Sequence, residues 1–484
     1  MTYQVVIGLE IHAQLLTESK IFCGCSTRYG AEPNTQVCPV CLGLPGALPV
    51  LNQKAVEFAI AMGLATHCRI ASISTFARKN YFYPDLPKGY QITQYQEPLC
   101  RDGYLNITLP DGIERRIGIQ RIHLEEDAGK SIHDPAVAGE ATLIDFNRSG
   151  VPLIEIVTQP DLRSPTEARL FLEKLKKILV YLRICDGNME EGSLRCDANV
   201  SLRPTEENEP GVKTELKNLN SFRNVERALK FEIERQTAIL NGGGVVEPAT
   251  LLWDATKNQA RIIRKKEADF DYRYFPEPDL LPLEISRRTV ERIAATLPEL
   301  PDARMERFRK QYQLSEYDAT ILTAERELAD LYEQVVKYHS HFSLASNLFL
   351  REVKRILHQR KWSVNEFPVS PKNLAELLNL IARGILSQSR AGEVLEEMVE
   401  TGKSAREVVE TKRLQQIHDR EILRKVVHEV LHQFPEQVEQ FRNGREKVFT
   451  FLMGQVMRKT GGKANPAVLK ELLSRALKNN HREK

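Results

Sequence analysis

In the stretch Ser193–Arg203, SLRCDANVSLR, Ser193, Arg195, Asp197, Asn199, Ser201 and Arg203 fall on every second position. Leu194, Cys196, Ala198, Val200 and Leu202 fill the places between. Four other stretches repeat the design. VVIGLEIHAQ (5–14) sets Glu10 and His12 on one side, and IGIQRIHLE (117–125) aligns Arg121, His123 and Glu125. LIEIV (153–157) places Glu155 alone in an apolar run, and VKTELK (212–217) groups Lys213, Glu215 and Lys217. Carboxylates crowded on one face repel one another unless a cation sits among them. Hard oxygen donors with an occasional imidazole suit a magnesium ion. One such strand alone reads better as an ordinary exposed sheet edge. Five in one chain read as the floor of an active site.

A second set of ligand types is Cys23-x-Cys25-x12-Cys38-x2-Cys41. Two close cysteine pairs separated by a loop supply four thiolates for a tetrahedral zinc ion, with no position left open, so the site is expected to be structural. Cys68, Cys100, Cys185 and Cys196 are scattered, and Cys196 belongs with the apolar side of its strand. RKNYFYPDLPKGYQ (78–91) mixes Lys79, Asp85 and Lys88 with four aromatics, two prolines and a glycine. It is expected to be a loop. Its Lys and Tyr could hold phosphate or a nucleotide ring, or equally form an aromatic plug.

The elements that must position these residues follow from periodicity. Strict alternation means strands, because successive side chains leave a strand on opposite faces. In His123–Lys130 (HLEEDAGK), Glu126 should point away from Glu125 unless the strand bulges. Ser164–Cys185 begins with Ser164 as cap, Pro165 at the first helical position and Glu167 behind it, and carries an apolar stripe from Leu172 to Leu182. Ala55–Ala65 reads as a buried helix and Asn218–Gly242 as an amphipathic one. Helices packed on the apolar side would leave the charged side free for chemistry. The expected fold class is therefore α+β, with an antiparallel sheet in the first part.

The charge-dense run Arg261–Asp271 and the prolines at 276, 278, 282, 298 and 301 mark the end of that part. Helical periodicity fills the rest. Three domains are expected: 1–296, the catalytic part with its zinc knuckle at 23–41; 297–405, helical; and 406–484, a helical tail. The overall charge is only +3, yet Lys447–Lys484 holds nine Lys and Arg against two Asp and Glu. A basic end punctuated by Gly, Asn and Pro points to a nucleic-acid partner ahead of a membrane. With 42% hydrophobic and 27% charged residues, no signal or transit pattern and no membrane-length apolar run, the protein is expected to be cytoplasmic. There is no P-loop, no dinucleotide fingerprint and no serine-rich amidase signature.

GLEIHAQL (8–15), RKNYFYPDLPKGYQI (78–92), HLEEDAGK (123–130), DFNRSGVPLIEIV (145–157), EEGSLRCDANVSLR (190–203), DYRYFPEPDL (271–280) and MGQVMRKTGGKANP (453–466) together resemble the B-subunit family of aspartyl/glutamyl-tRNA amidotransferases. The resemblance implies a catalytic cradle related in fold to glutamine synthetase and guanido kinases, a helical domain, and a mobile tail domain that touches tRNA. It implies ATP-dependent phosphorylation of the side-chain carboxylate of Glu-tRNA(Gln) or Asp-tRNA(Asn), then amidation by ammonia. Carried onto these positions, it makes Glu10, His12 and Glu125 the magnesium ligands. Lys79 and Arg195 stabilise the transferring phosphoryl group. Asp197, Asn199 and Glu155 complete the face, for a second ion or to guide ammonia. The four-cysteine site occurs in some members of the family, and all four cysteines are present here. The implied partners are a glutaminase A subunit of the amidase type, a small C subunit, misacylated tRNA and the misacylating synthetase. Two other classes compete with this reading: a zinc-containing tRNA-binding protein without catalysis, and a free-standing ATP-dependent amide ligase.

Overall fold

The computed structural model describes residues 2–133, 136, 139, 141–205, 211–265, 272–417 and 419–479. The second half of the charge-dense run 261–271, the first residue of DYRYFPEPDL and the last five residues of the basic tail lie outside the described residues. The chain forms two compact units, Met1–Leu300 and Pro301–Lys484.

The first unit is built on a nine-stranded sheet. In chain order its strands are β1 (Tyr3–Gln14), β2 (Arg69–Ile70), β3 (Cys100–Thr108), β4 (Glu114–Glu126), β5 (Pro152–Thr158), β6 (Leu194–Pro204), β7 (Thr214–Lys217), β8 (Ala249–Asp254) and β9 (Gln259–Lys265). The spatial order is β9-β8-β7-β6-β1-β5-β4-β3-β2. The sequence suggests an antiparallel sheet, but the observed sheet is mixed. β7 and β8 run parallel because the helix Phe222–Asn241 lies between them in the chain, and a crossover of that length returns the chain in the same direction.

The alternation read in the sequence governs burial. Ile7, Leu9, Ile11 and Ala13 of β1 enter the core beside Ile122 and Leu124 of β4, Ile154 and Ile156 of β5, and Cys196, Ala198 and Val200 of β6. The helices Gln53–Ala65, Pro165–Tyr181 and Phe222–Asn241 contribute Ile60, Leu172, Leu175, Ile178 and Leu229 to the same core. Ser164 and Ser221 cap the latter two, each side chain accepting from the third residue onward. Glu167, expected to reach back to Ser164, instead accepts from the Arg163 backbone N–H at 2.8 Å.

The stretch 78–91 is a loop only in its middle. Its ends belong to the strands Ala77–Asn80 and Tyr90–Thr93, which pair with each other. Arg273–Pro276 adds a third strand along Ala77–Asn80. That partner lies almost two hundred residues away, where local sequence patterns give no sign of it.

The second unit is helical among the described residues, apart from one isolated bridge between Ile417 and Ala464. It contains two apolar clusters. One runs from Phe308 to Leu414 and the other from Leu423 to Leu477. Val408 and Val409, on the helix Ala405–Thr411, are buried in the first cluster. No helix among the described residues is long and apolar enough to cross a membrane.

Candidate active site and metal centre

Residues directly opposite each other in an antiparallel pair share a face, so the register decides which polar groups meet. β1 pairs with β6 so that His12 faces Arg195 and Glu10 faces Asp197. On the other side of β1, His12 faces Glu155 while Glu10 faces Val157. Glu155 in turn faces His123 on β4. One row therefore reads Arg195, His12, Glu155, His123. The three-stranded sheet adds Gln91 and Thr93 from above.

The outcome is a tight carboxylate–imidazole group. His12 Nε2 lies 3.6 Å from Glu155 Oε2 and 3.7 Å from Glu125 Oε2. His123 Nε2 lies 3.1 Å from Glu125 Oε1 and 3.3 Å from Glu155 Oε2. Thr93 Oγ1 donates to Glu125 Oε1 at 2.7 Å, and Gln91 Nε2 donates to Glu125 Oε2 at 3.2 Å. Burial and the neighbouring Glu155 push the Glu125 carboxyl up, but His123 and Lys79 outweigh them and hold it below the usual carboxylate range. Burial likewise pushes Glu155 up, and His123 and His12 overcome it by a wide margin. Burial lowers His123, yet Glu155 and Glu125 raise it to about 9. His12 is raised in the same way, chiefly by Glu155 against burial.

Ligand atoms of His12, Glu125 and Glu155 all lie within 4.8 Å of one another. Two ionised carboxylates and an imidazole converging on one point are a donor set that fits a hard divalent cation. Among the described residues, the His123 Nδ1 atom is buried without a hydrogen-bond partner.

The other predicted residues distribute around this group. Lys79 approaches from the three-stranded sheet, its Nζ 4.8 Å from the centre of the Tyr272 ring. Burial disfavours its charge, but Glu125, Tyr274 and Glu155 more than restore it. Arg195 donates to Asp127 Oδ2 at 2.9 Å. Asp127 also accepts from Gln14 Nε2 at 2.8 Å and lies 3.6 Å from Arg148 Nε. Glu10 is one row removed, its Oε1 accepting from Asn199 Nδ2 at 2.9 Å. Asp197 pairs with Lys217 at 2.6 Å, and Lys217 also reaches Glu215 at 2.9 Å. Glu126 turns away from His12, pairing with Lys88 and accepting from the Ile92 backbone N–H.

Sequence reasoning assigns no role to His123, Gln91, Thr93, Asp127, Gln14 or Arg148. Alternation does place His123 on the right face. Asp127 and Arg148 sit beyond their strands, where periodicity gives no face.

The four cysteines form a second centre. The Sγ atoms of Cys23, Cys25, Cys38 and Cys41 lie within 4.8 Å of one another. The turn after Cys38 is closed by Leu42 N–H donating to Cys38 O and Gly43 N–H to Val40 O. Gly43 takes φ +64°, and a Cβ there would lie 2.3 Å from Lys88 Cγ. Hydrogen bonding from Cys23 pulls Cys41 down to about 4, burial pushes Cys25 up to about 11, and Cys23 rises because it is the proton donor to Cys41. Four sulfurs converging at this spacing fit a tetrahedral zinc ion.

Residues 5–291 match the GatB/GatE catalytic domain family, and residues 330–477 match the GatB domain family. The B subunit of the aspartyl/glutamyl-tRNA(Asn/Gln) amidotransferase of Thermodesulfovibrio yellowstonii is 55% identical over 478 residues, covering 99% of this chain and all of the relative. The proteins of the same name from Moorella thermoacetica and Geobacter sulfurreducens are 54% and 53% identical, each over 99% of this chain and the whole of the relative. With its charged sheet face assembled from the same stretches that carry the resemblance, the chain belongs to the family of aspartyl/glutamyl-tRNA(Asn/Gln) amidotransferase B subunits.

Proposed function

We propose that this chain is the carboxylate-activating subunit of a tRNA-dependent amidotransferase, a ligase that converts Glu-tRNA(Gln) to Gln-tRNA(Gln) and Asp-tRNA(Asn) to Asn-tRNA(Asn) with glutamine as amide donor. The side-chain carboxylate oxygen of the misacylated amino acid attacks the γ-phosphorus of ATP, giving an acyl phosphate and ADP. Ammonia then attacks the carbonyl carbon, phosphate leaves, and the ammonium proton is lost. The observation that carries this reading is the His12, Glu125 and Glu155 group on one face of the large sheet, flanked by Arg195 on that face and by Lys79 from the three-stranded sheet.

His12, Glu125 and Glu155 would hold a magnesium ion, with Glu10 reaching it from the next row. When bound, that ion offsets the charge that keeps a carboxylate and a triphosphate apart. Lys79 keeps its charge despite burial because Glu125 and Glu155 face it, so it can hold a phosphoryl oxygen. Arg195 is aimed by Asp127, and the planar fork of its guanidinium suits two oxygens of a phosphate. Asp197, paired with Lys217, stands opposite Glu10, which holds Asn199, and these groups suit a second ion or the approach of ammonia. The charged sheet roofed by a smaller sheet is the arrangement expected of a cradle akin to glutamine synthetase and guanido kinases. The four cysteines hold a structural zinc ion. Ammonia comes from a glutaminase A subunit, joined through a small C subunit in a heterotrimer, while the basic helical tail contacts tRNA.

The test is ADP formation by the reconstituted complex with ammonium chloride in place of glutamine. ADP release should require misacylated tRNA and match amidated tRNA one for one. Lys79→Met should depress both by about 10²–10³-fold, the usual loss when one preorganised charge is removed. ADP formed at the same rate without misacylated tRNA, or amide formed without ATP, would overturn the reading.

A further inference from the structure

Lys20 is fully buried, with none of its side chain open to solvent. Among the described residues no carboxylate pairs with it. Its Nζ donates instead to Cys41 Sγ at 3.6 Å and to the Phe146 backbone carbonyl at 3.3 Å. A buried ammonium served by one sulfur and one neutral carbonyl is poorly compensated unless that sulfur belongs to something anionic. Four thiolates around a divalent ion carry two net negative charges, and the centre lies directly against this ammonium.

The packing holds Lys20 in place. Its backbone N–H donates to Cys25 O at 2.9 Å, which ties it to the first cysteine pair. Gly150 lies over the stem, where a Cβ would come 3.5 Å from Lys20 Cδ and 3.4 Å from Cys41 Cβ. Ser149 Oγ donates to Cys41 O at 3.2 Å, and Ile21 N–H to Gly150 O at 2.9 Å. The segment 145–150 is laced to the loop between the cysteine pairs as well. Asn34 N–H donates to Asp145 Oδ1, Gln36 N–H to Asn147 Oδ1, and Asn147 Nδ2 to Glu32 O. Lys20 is thus tied to the first cysteine pair by its backbone and to Cys41 and the segment packed on it by its ammonium.

We propose that Lys20 is the built-in counter-ion of the four-cysteine centre: its buried ammonium offsets half of the net negative charge of the zinc tetrathiolate and hydrogen-bonds Cys41 Sγ. This rests on the zinc reading of Cys23, Cys25, Cys38 and Cys41. Lys20 is a positioning residue, touching a ligand sulfur and not the metal. Partners of that kind commonly shift metal affinity by about 10–100-fold. The same side chain clasps the centre to Phe146, and so joins the metal to the segment whose Arg148 approaches Asp127, the partner of Arg195.

The experiment compares the full-length wild type with Lys20→Met and Lys20→Gln. Met keeps the apolar stem, whereas Gln keeps a donor but no charge. Zinc affinity is measured by competition with a chromogenic chelator. The thiolate-to-metal absorption of the cobalt-substituted protein, and thermal melting before and after chelation, are recorded alongside. Both variants should bind zinc about 10–100-fold more weakly. Their melting deficit should be larger in the zinc-loaded state than after stripping, and the cobalt charge-transfer band should move. Wild-type zinc affinity in Lys20→Gln would overturn the counter-ion role even if Lys20→Met did not fold. So would a melting deficit of equal size with and without metal, the mark of a packing role alone. Wild-type protein that binds no zinc would remove the zinc reading first, and this assignment with it.

Discussion

Glu125→Gln removes one negative charge, at nearly constant volume, from a residue that is 2% exposed. Three donors converge on that carboxylate: the Thr93 hydroxyl, the Gln91 amide and the His123 ring. In either orientation the new amide nitrogen faces one of them, and an unmatched buried donor costs about 1–3 kcal/mol. The charge balance also shifts. Lys79, His12 and His123 are set against Glu125 and Glu155 in the native group, and the variant leaves Glu155 alone. Removing one member of a buried ionic group typically costs about 3–5 kcal/mol, which includes the hydrogen-bond term. A loss of about 4 kcal/mol in unfolding free energy is therefore expected in urea. For the reaction, deleting a preorganised charge should slow amidation by about 10²–10³-fold. The assay is amidated tRNA formed by the reconstituted complex with ammonium chloride replacing glutamine. Added ammonium should give no rescue, because the block precedes attack by ammonia. The glutaminase partner should still hydrolyse glutamine. Near-normal product with ammonium would refute the role of Glu125 in carboxylate activation, and the magnesium assignment with it.

Purified protein should contain about one zinc per chain, and Cys38→Ser with Cys41→Ser should lose it and melt earlier; metal analysis that finds none, with unchanged melting, would exclude the site. Removing residues 419–484 should weaken tRNA binding and flatten its salt dependence, since a smaller basic surface neutralises fewer phosphates and releases fewer counterions. That cut spares Val408, Val409 and Leu414, which are core to the first helical cluster, and an unchanged salt slope would take the tail out of the tRNA interface. His123 is raised from 6.5 to about 9, so its contribution to stability is complete below pH 6.5 and disappears as pH rises through 9. At about 1.4 kcal/mol per unit, metal-free wild type should lose about 3 kcal/mol across that window relative to His123→Asn. Parallel unfolding curves at both ends of the window would show that His123 is neutral in the fold.

Much of the sheet was legible because its signal is local. In β1 and β6 the core residues alternate with polar ones, and the structure buries Leu9, Ile11, Cys196 and Ala198 as the period demands. Ser164 likewise announces its helix through capping chemistry within four residues. What stays hidden depends on partners far off in the chain. Nothing near Ala77–Asn80 reveals that Arg273–Pro276 will pair with it, so the segment holding Lys79 reads as plain loop. Asp127 lies just past the end of β4, and its union with Arg195, Gln14 and Arg148 depends on four separate segments meeting.

The membership of the carboxylate–imidazole group shows where alternation stops being informative. Period two assigns Glu10, His12, Glu125 and Glu155 to one face but says nothing about which share a row. Register does that. Opposite Glu10 on β5 stands Val157, which offers no charge, whereas opposite His12 stands Glu155, with His123 beyond it. A shift of two residues between β1 and β5 would preserve every buried apolar contact by type and move Glu10 into the cluster in place of His12. The pairing of Ile11 with Ile156 and of Ala13 with Ile154 therefore selects the site's composition as well as the core's packing. Glu10 remains on the same face, one row away and held by Asn199. Its Oε1 is taken by that amide, which leaves Oε2 as the oxygen that would turn toward a cation shared with His12.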